Sequence, residues 1–186
     1  MSQRVEPAPV LRLCSCLTSD PELLPKVEAE LVHTFGDIAL KSSAFLFDTS
    51  DYYQDELGRN LKRYWFCFRD LCGAERLPET RHTTGQIEDL FVEEGKRRIN
   101  LDPGYLDFAK LVLASLKEAP DKIYLGDGVW AHTCLRYGHG DFKAPNHSFP
   151  DFQDGRFNNF FLEARNLYKV LLQKIRQNMN LKTQLD

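Results

Sequence analysis

The stretch "GKRRINLDPGYLDFAKLVLASL", residues 95–116, decides how the chain divides into helices and strands. Asp102 before Pro103 has the grammar of a helix start, with an aspartate as N-cap and a proline at the first helical position. Behind it Tyr105, Leu106, Phe108, Leu111, Val112 and Leu116 put apolar side chains on nearly every side of a helical wheel. This predicts a helix over residues 103–118 in the middle of a core. Ahead of it Lys96, Arg97 and Arg98 form a basic cluster next to Asn100. If Ile99 and Leu101 face the core on a short strand, then Arg98, Asn100 and Asp102 share the opposite face, because alternate residues of a strand point the same way. Such a face suits an anion. Its simplest structural role is an ion pair of Arg97 or Arg98 with Asp48, Asp51 or Glu56.

On either side of this stretch the pattern is mixed. "VLRLCSCL" (10–17) reads as a strand, and "SDPELLPKVEAELVHTFG" (19–36) as a helix with Asp20 as N-cap, Pro21 first and Gly36 as stop. "IALKSSAFLFD" (38–48) and "LKRYWFCFRDL" (61–71) read as strands, and residues 77–95 as helical from Thr84 onward. "KIYLGDGVWAHTCLRYGHGDFK" (122–143) reads as β-hairpins turning at Gly126-Asp127-Gly128 and at Gly138–Asp141, before a last helix over 156–178. The order lacks the strand–helix alternation of a parallel doubly wound sheet. The expected class is α+β: a mostly antiparallel sheet with helices packed on it, its first six elements forming a ferredoxin-like unit extended by a C-terminal β-hairpin and helix. One domain is expected over 10–178, with tails at 1–9 and 179–186.

With 186 residues, 42% of them hydrophobic, the chain has material for a core without cross-links. Twenty-four Lys and Arg against 27 Asp and Glu leave a formal charge of −3, which argues against a nucleic-acid partner held by an overall basic field. Five cysteines, an odd number, and an N-terminus without a basic-then-apolar leader read as a reduced, cytoplasmic protein. The longest apolar run is too short and too charged to cross a bilayer.

Among nucleotide motifs, G-x-x-x-x-G-K-[ST] and G-x-G-x-x-G are both absent, so a P-loop GTPase or ATPase is rejected. His82-Thr83-Thr84 gives one H-x-T but no second copy, since Thr133 and Cys134 follow His132. The spacings of Cys14 and Cys16, and of Cys67 and Cys72, are not those of zinc knuckles. More informative is "FDTSDYYQDELG" (47–58), which gathers Asp48, Asp51, Asp55 and Glu56 with Tyr52 and Tyr53 on a loop leaving a strand. Carboxylates at a strand end suit a hard cation such as Mg²⁺, and tyrosines suit a ring or base. Asp127 is a turn residue tolerant of left-handed backbone, or else a carboxylate at the same rim, beside Tyr124.

The blocks "FDTSDYYQDELG", "KRYWFCF", "GKRRINLDPGYLDFAKLVLAS", "KIYLGDGVWA" and "FPDF" resemble, in order and spacing, a bacterial family known as a domain of unknown function, whose members often carry the label GTP-binding protein. The resemblance runs from about residue 8 to 172. It implies no activity. Besides the residues above it marks Lys62, Arg63, Glu88, Gly104, Lys110, Tyr124 and Asp151. It leads one to expect an acid at His132 and a base or histidine at Asp121, so neither is given a catalytic role.

The combined expectation is a polar cleft formed by residues 48–56, 97–105 and 124–128 that binds, and in an enzymatic version acts on, a phosphorylated or nucleotide-like small molecule. Asp48, Asp51 and Asp102 would hold a divalent cation and serve as catalytic groups. Lys62, Arg63, Arg97 and Arg98 would neutralise phosphate. Tyr52, Tyr53, Glu56, Asn100, Tyr105, Tyr124 and Asp127 would position the rest. The alternative is a non-catalytic protein- or RNA-interaction domain whose charged motifs are structural ion pairs.

Overall fold

The structure, a computed structural model, describes residues 5–183, with side chains up to residue 178. In chain order the elements are β1 (Val10–Thr18), α1 (Leu24–Phe35), β2 (Ile38–Lys41), β3 (Phe45–Leu46), α2 (Gln54–Leu57), β4 (Lys62–Cys72), α3 (Leu77–Asp89) and the small hairpin β5 (Val92–Glu93) and β6 (Lys96–Arg97). There follow β7 (Asn100–Leu106), β8 (Lys110–Ser115), β9 (Ile123–Gly126), β10 (Val129–Gly138), β11 (Asp141–Lys143), α4 (Pro150–Gln153) and α5 (Asn158–Thr183). The last helix thus runs beyond 178 into the expected tail. Residues 1–4 and 184–186 of the two expected tails lie outside the described residues.

Nine strands form one antiparallel sheet in the order β11-β10-β8-β7-β1-β4-β2, with β3 beside β4 and β9 beside β10. The segment β7-β1-β4-β2, with α1 and α3 as its crossovers, is the expected ferredoxin-like unit. Strands β8 to β11 extend it past β7. The Asp20 carboxylate caps a short 3₁₀ turn before α1, accepting from the Glu22 N–H at 3.1 Å, and Gly36 (φ 87°) ends the helix.

Both faces of the sheet are covered. α1 and α3 pack Val27, Leu31 and Ile87 onto Cys14, Phe66, Phe68 and Leu101. On the other face α5 and the turn before it bring Phe157, Phe161, Ala164 and Tyr168 against Leu11, Leu13, Trp65, Leu111 and Leu113. Apart from surface helix and strand ends, the side chains therefore sort by strand parity between two cores.

The helix expected over residues 103–118 is absent; the segment is the hairpin β7–β8. Strand β8 is buried on both faces, with Leu111 and Leu113 under α5 and Val112 and Ala114 under Leu77 of α3. A strand covered on both sides shows no period of two, and its apolar run then matches a buried helix equally well. Asp102 is accordingly no N-cap. The capping aspartate is Asp107, whose carboxylate accepts from the N–H groups of Ala109 (2.7 Å) and Lys110 (2.8 Å) to close the hairpin turn. Gly104 is required by packing: a Cβ there would lie 2.3 Å from the Val112 carbonyl oxygen.

Candidate functional site

Strand β7 pairs with β8 only from Gly104↔Leu113 to Leu106↔Leu111. Beyond that its residues Asn100 to Pro103 stay paired with β1, while Ala114 and Ser115 of β8 stay paired with β10. Pro103, which has no N–H to extend a ladder, is the first position past the paired segment. The sheet is split at this end, and the split opens a cleft of about 550 Å³. The loop 47–53 and the start of α4 (Phe149, Pro150 and Asp151) border it, as does Arg81 of α3.

At its floor is Arg63 of β4, 5% exposed. Its Nη1 donates to Asp102 Oδ2 and to Ser15 Oγ, both at 2.7 Å, and its Nε lies 3.0 Å from Asp151 Oδ2. Burial works against the guanidinium charge, but Asp102 and then Asp151 outweigh it and hold the group more firmly protonated than usual. Asp151, 1% exposed, is pushed up by burial by more than Arg63 pulls it down. Cross-strand register brings these groups together, with Ser15 opposite both Trp65 and Asp102, and Leu17 opposite both Arg63 and Asn100.

Next to this group Asn100 donates to Asp102 Oδ1 (2.9 Å) and accepts from Arg97 (3.3 Å). Arg97 makes a two-pronged bond to Glu56 at 2.6 and 2.8 Å, the internal ion pair anticipated from the sequence, and holds the Glu56 carboxyl below its usual range. Glu88 of α3 accepts from the Leu101 N–H at 2.6 Å and lies 3.4–3.5 Å from Arg97 and Arg81. Burial nevertheless pushes its carboxyl up.

The opposite wall belongs to β8, β10 and the chain between β8 and β9. Lys122 donates to Ser115 Oγ (2.7 Å) and to the Lys117 carbonyl (2.9 Å). The Lys117 ammonium lies over the Tyr52 ring at 4.0 Å and bonds its hydroxyl. His132 is 4% exposed; neither ring nitrogen has a well-formed hydrogen bond, and the His147 backbone faces the ring. Its ring stacks near Phe149 (4.8 Å) and His147 (5.5 Å). Burial, then Lys122 and His147, pull its pKa below the usual histidine value.

Of the residues singled out from sequence, Tyr52, Tyr53, Arg63, Arg97, Asn100 and Asp102 line this cleft. Burial and then Asp102 push the Tyr53 hydroxyl up to about 12. Arg98 does not line the cleft: the chain bends between β6 and β7, the alternation slips by one, and Arg98 pairs with Asp20 and Glu93 while Arg97 takes the place expected for it. Asp48 is held by Arg156 at 2.7 Å, and Asp51 caps its own turn beside Gln54. The three carboxylates proposed for a cation therefore do not gather, and among the described residues no three His, Cys, Asp or Glu side chains are grouped to hold a metal ion. Lys62 alternates with Arg63 and so leaves on the other face of β4. Tyr105 packs toward Leu77 and Val112, and Tyr124 stacks on Trp130 away from the split. Asp127 (φ 53°) is a turn residue whose carbonyl meets His82 at 3.0 Å. Hence the segment 124–128 is no wall of the cleft.

Sequence reasoning left out Arg81, Ser115, Lys117, Lys122 and His132. The signal for the two lysines was "SLKEAPDK" (115–122), a Pro-containing loop carrying two lysines immediately after an apolar run. Nothing in sequence placed it beside residues 47–53. Cys14, Cys16, Cys67 and Cys134 are buried and free, with burial pushing their thiols up, as inert core residues. No described helix is long and apolar enough to cross a membrane.

The architecture is that of an α+β protein with an antiparallel sheet and a polar cleft at its split end, lined by five cationic side chains and two carboxylates. Residues 8–168 match DUF4416, a domain of unknown function, and the chain belongs to that family. No curated protein and no solved structure matches it.

Proposed function

We propose that this protein binds a phosphorylated or nucleotide-like small molecule in the split-sheet cleft. The observation that carries the reading is the composition of one concave site: Arg81, Arg97, Lys117 and Lys122 surround a space faced by the aromatic rings of Phe47, Tyr52, Tyr53 and Phe149. Cations neutralise phosphate oxygens, and flat apolar rings cover a base or sugar face. The neutral imidazole of His132 in the same space is suited to proton transfer, which is the enzymatic form of the reading. The alternative, an interaction domain with structural ion pairs, is favoured by the internal pairing of Arg63 and Arg97. It accounts for Phe47 and Tyr53, which pack on Leu17, Leu57 and Leu61, and leaves the exposed ring of Tyr52 and the unpaired Lys117 and Lys122 without a role.

The test is thermal denaturation of the full chain against a panel of nucleotides and sugar phosphates, each with and without Mg²⁺. A ligand present at about 100 times its Kd raises stability by about 2.7 kcal/mol. For a chain of this size that is a rise in Tm of roughly 5–10 °C. Tyr52→Ala should lose most of the shift, and Arg98→Ala, which lies outside the cleft, should keep it. A panel in which no member shifts Tm removes the reading.

A further inference from the structure

The positive charge of the cleft is unevenly neutralised. On the β4-β1-β7 side each arginine has carboxylates: Arg63 has Asp102 and Asp151, Arg97 has Glu56 and Glu88, and Arg81 has Glu88. On the β8–β10 side, among the described residues, Lys117 and Lys122 are in no ion pair. The Ser115 hydroxyl ties the two lysines together, accepting from Lys122 and from the Lys117 N–H and donating to the Lys117 carbonyl, and beside them His132 is buried with neither ring nitrogen in a well-formed hydrogen bond, the His147 backbone facing the ring. A buried polar group left without a good partner is costly, and a bound ligand oxygen removes that cost. The Asp102 carboxylate on the other wall repels an anion and accepts hydrogen bonds.

We infer that the cleft is polarised: Lys117, Lys122 and His132 seat the phosphate of a phosphomonoester, and Asp102 with Asn100 receives hydroxyl groups at the ligand's other end. This deepens the proposed function and rests on it. The ligand class is a small polyhydroxylated phosphomonoester, such as a sugar phosphate, oriented with phosphate toward β8 and β10. Lys122 spends two donors on Ser115 and the Lys117 carbonyl, and its third is left for a phosphate oxygen. Tyr52, fixed on Lys117, closes over the same end.

The test uses the full chain with inorganic phosphate, ribose 5-phosphate and ribose as probes, read by calorimetry and by the ¹⁵N signals of the histidine rings, assigned with His132→Asn. The groups facing His132 are Lys122, His147 and Asp121. A seated phosphate dianion should shift the His132 ring signals and raise its protonation midpoint by about one pH unit. Lys117→Gln and Lys122→Gln should each weaken inorganic phosphate about tenfold. Asp102→Asn should weaken ribose 5-phosphate while leaving inorganic phosphate unchanged or tighter. Lys117, at the rim, serves if the Lys122 variant does not fold. If phosphate or ribose 5-phosphate binds while His132 stays still and both lysine variants bind normally, the phosphate seat is elsewhere and the inference falls, with the proposed function intact. If neither these probes nor any member of the wider panel binds, both fall.

Discussion

Arg63→Met isolates the charge at the floor of the cleft. The guanidinium lies 5.3 Å from the Phe47 ring and 5.7 Å from Trp65, so an unbranched apolar side chain keeps much of the packing. What disappears is the cation shared by Asp102 and Asp151 and the bond to Ser15. Removing one partner from a buried ion pair costs about 3–5 kcal/mol, because a buried charge is left uncompensated. For a chain of this size that lowers Tm by roughly 6–20 °C. Urea denaturation at pH 7 measures the cost, and a cycle with Asp102→Asn and Asp151→Asn apportions it. The triple variant should regain most of the loss, since no charge remains buried. Without Arg63 the Asp151 carboxyl, raised by burial, loses the charge that pulls it down, so its folded pKa stands further above the unfolded value of about 3.9. Its contribution is fully present below that value and is lost as pH rises through the folded one, so the gap between variant and wild type should narrow from pH 7 to about 4.5. A cost below about 1 kcal/mol at pH 7, or a gap that widens on acidification, would refute a dry, charge-coupled floor.

Three further outcomes follow from single positions. Gly104→Ala should destabilise by about 1–3 kcal/mol or more, because its Cβ meets the Val112 carbonyl oxygen at 2.3 Å; an unchanged urea midpoint would mean that β7 and β8 are not this close. Asp107→Ala should cost about 1 kcal/mol or somewhat more through two lost turn bonds, whereas Asp102 substitutions should act through Arg63; chemical denaturation of both variants distinguishes a hairpin here from a helix capped at Asp102. His132 has a depressed pKa, so it supplies stability present above the unfolded value of about 6.5 and lost as pH falls through the folded one; wild type should lose stability from pH 7 to 5 that His132→Asn keeps, and parallel pH profiles would contradict a buried neutral imidazole.

Both the ferredoxin-like unit and its extension were legible where elements end on local chemistry: Asp20 and Pro21 open the turn that leads into α1, Gly36 closes that helix, and in the extension the Gly126–Gly128 and Gly138–Asp141 turns delimit β9 to β11. The β7–β8 hairpin was hidden because α3 and α5 bury β8 from both sides and erase the alternation that marks a strand. The site was legible to the extent that it lies on continuous elements. Arg63, Asn100 and Asp102 hold their places by strand parity and register, but Arg98 lost its place to Arg97 through a bend no spacing announces. Lys117, Lys122 and His132 reach the cleft only because β8 and β10 follow β7 in the sheet, a neighbour relation that sequence order does not state.

The interrupted ladder at Gly104 also sets how the sheet comes apart. Asn100 to Pro103 and Ala114 to Ser115 have each other's edges missing, so the boundary between the ferredoxin-like strands and the β8–β11 extension is held by three paired positions and by the flanking helices. This is the seam along which amide exchange should begin, with the two groups of strands behaving as separate cooperative units. A molecule lodged in the split touches both groups at once. Its occupancy is therefore coupled to the cohesion of the sheet itself, and slowed exchange on both sides of the seam is the signature by which a ligand would announce itself before its chemistry is known.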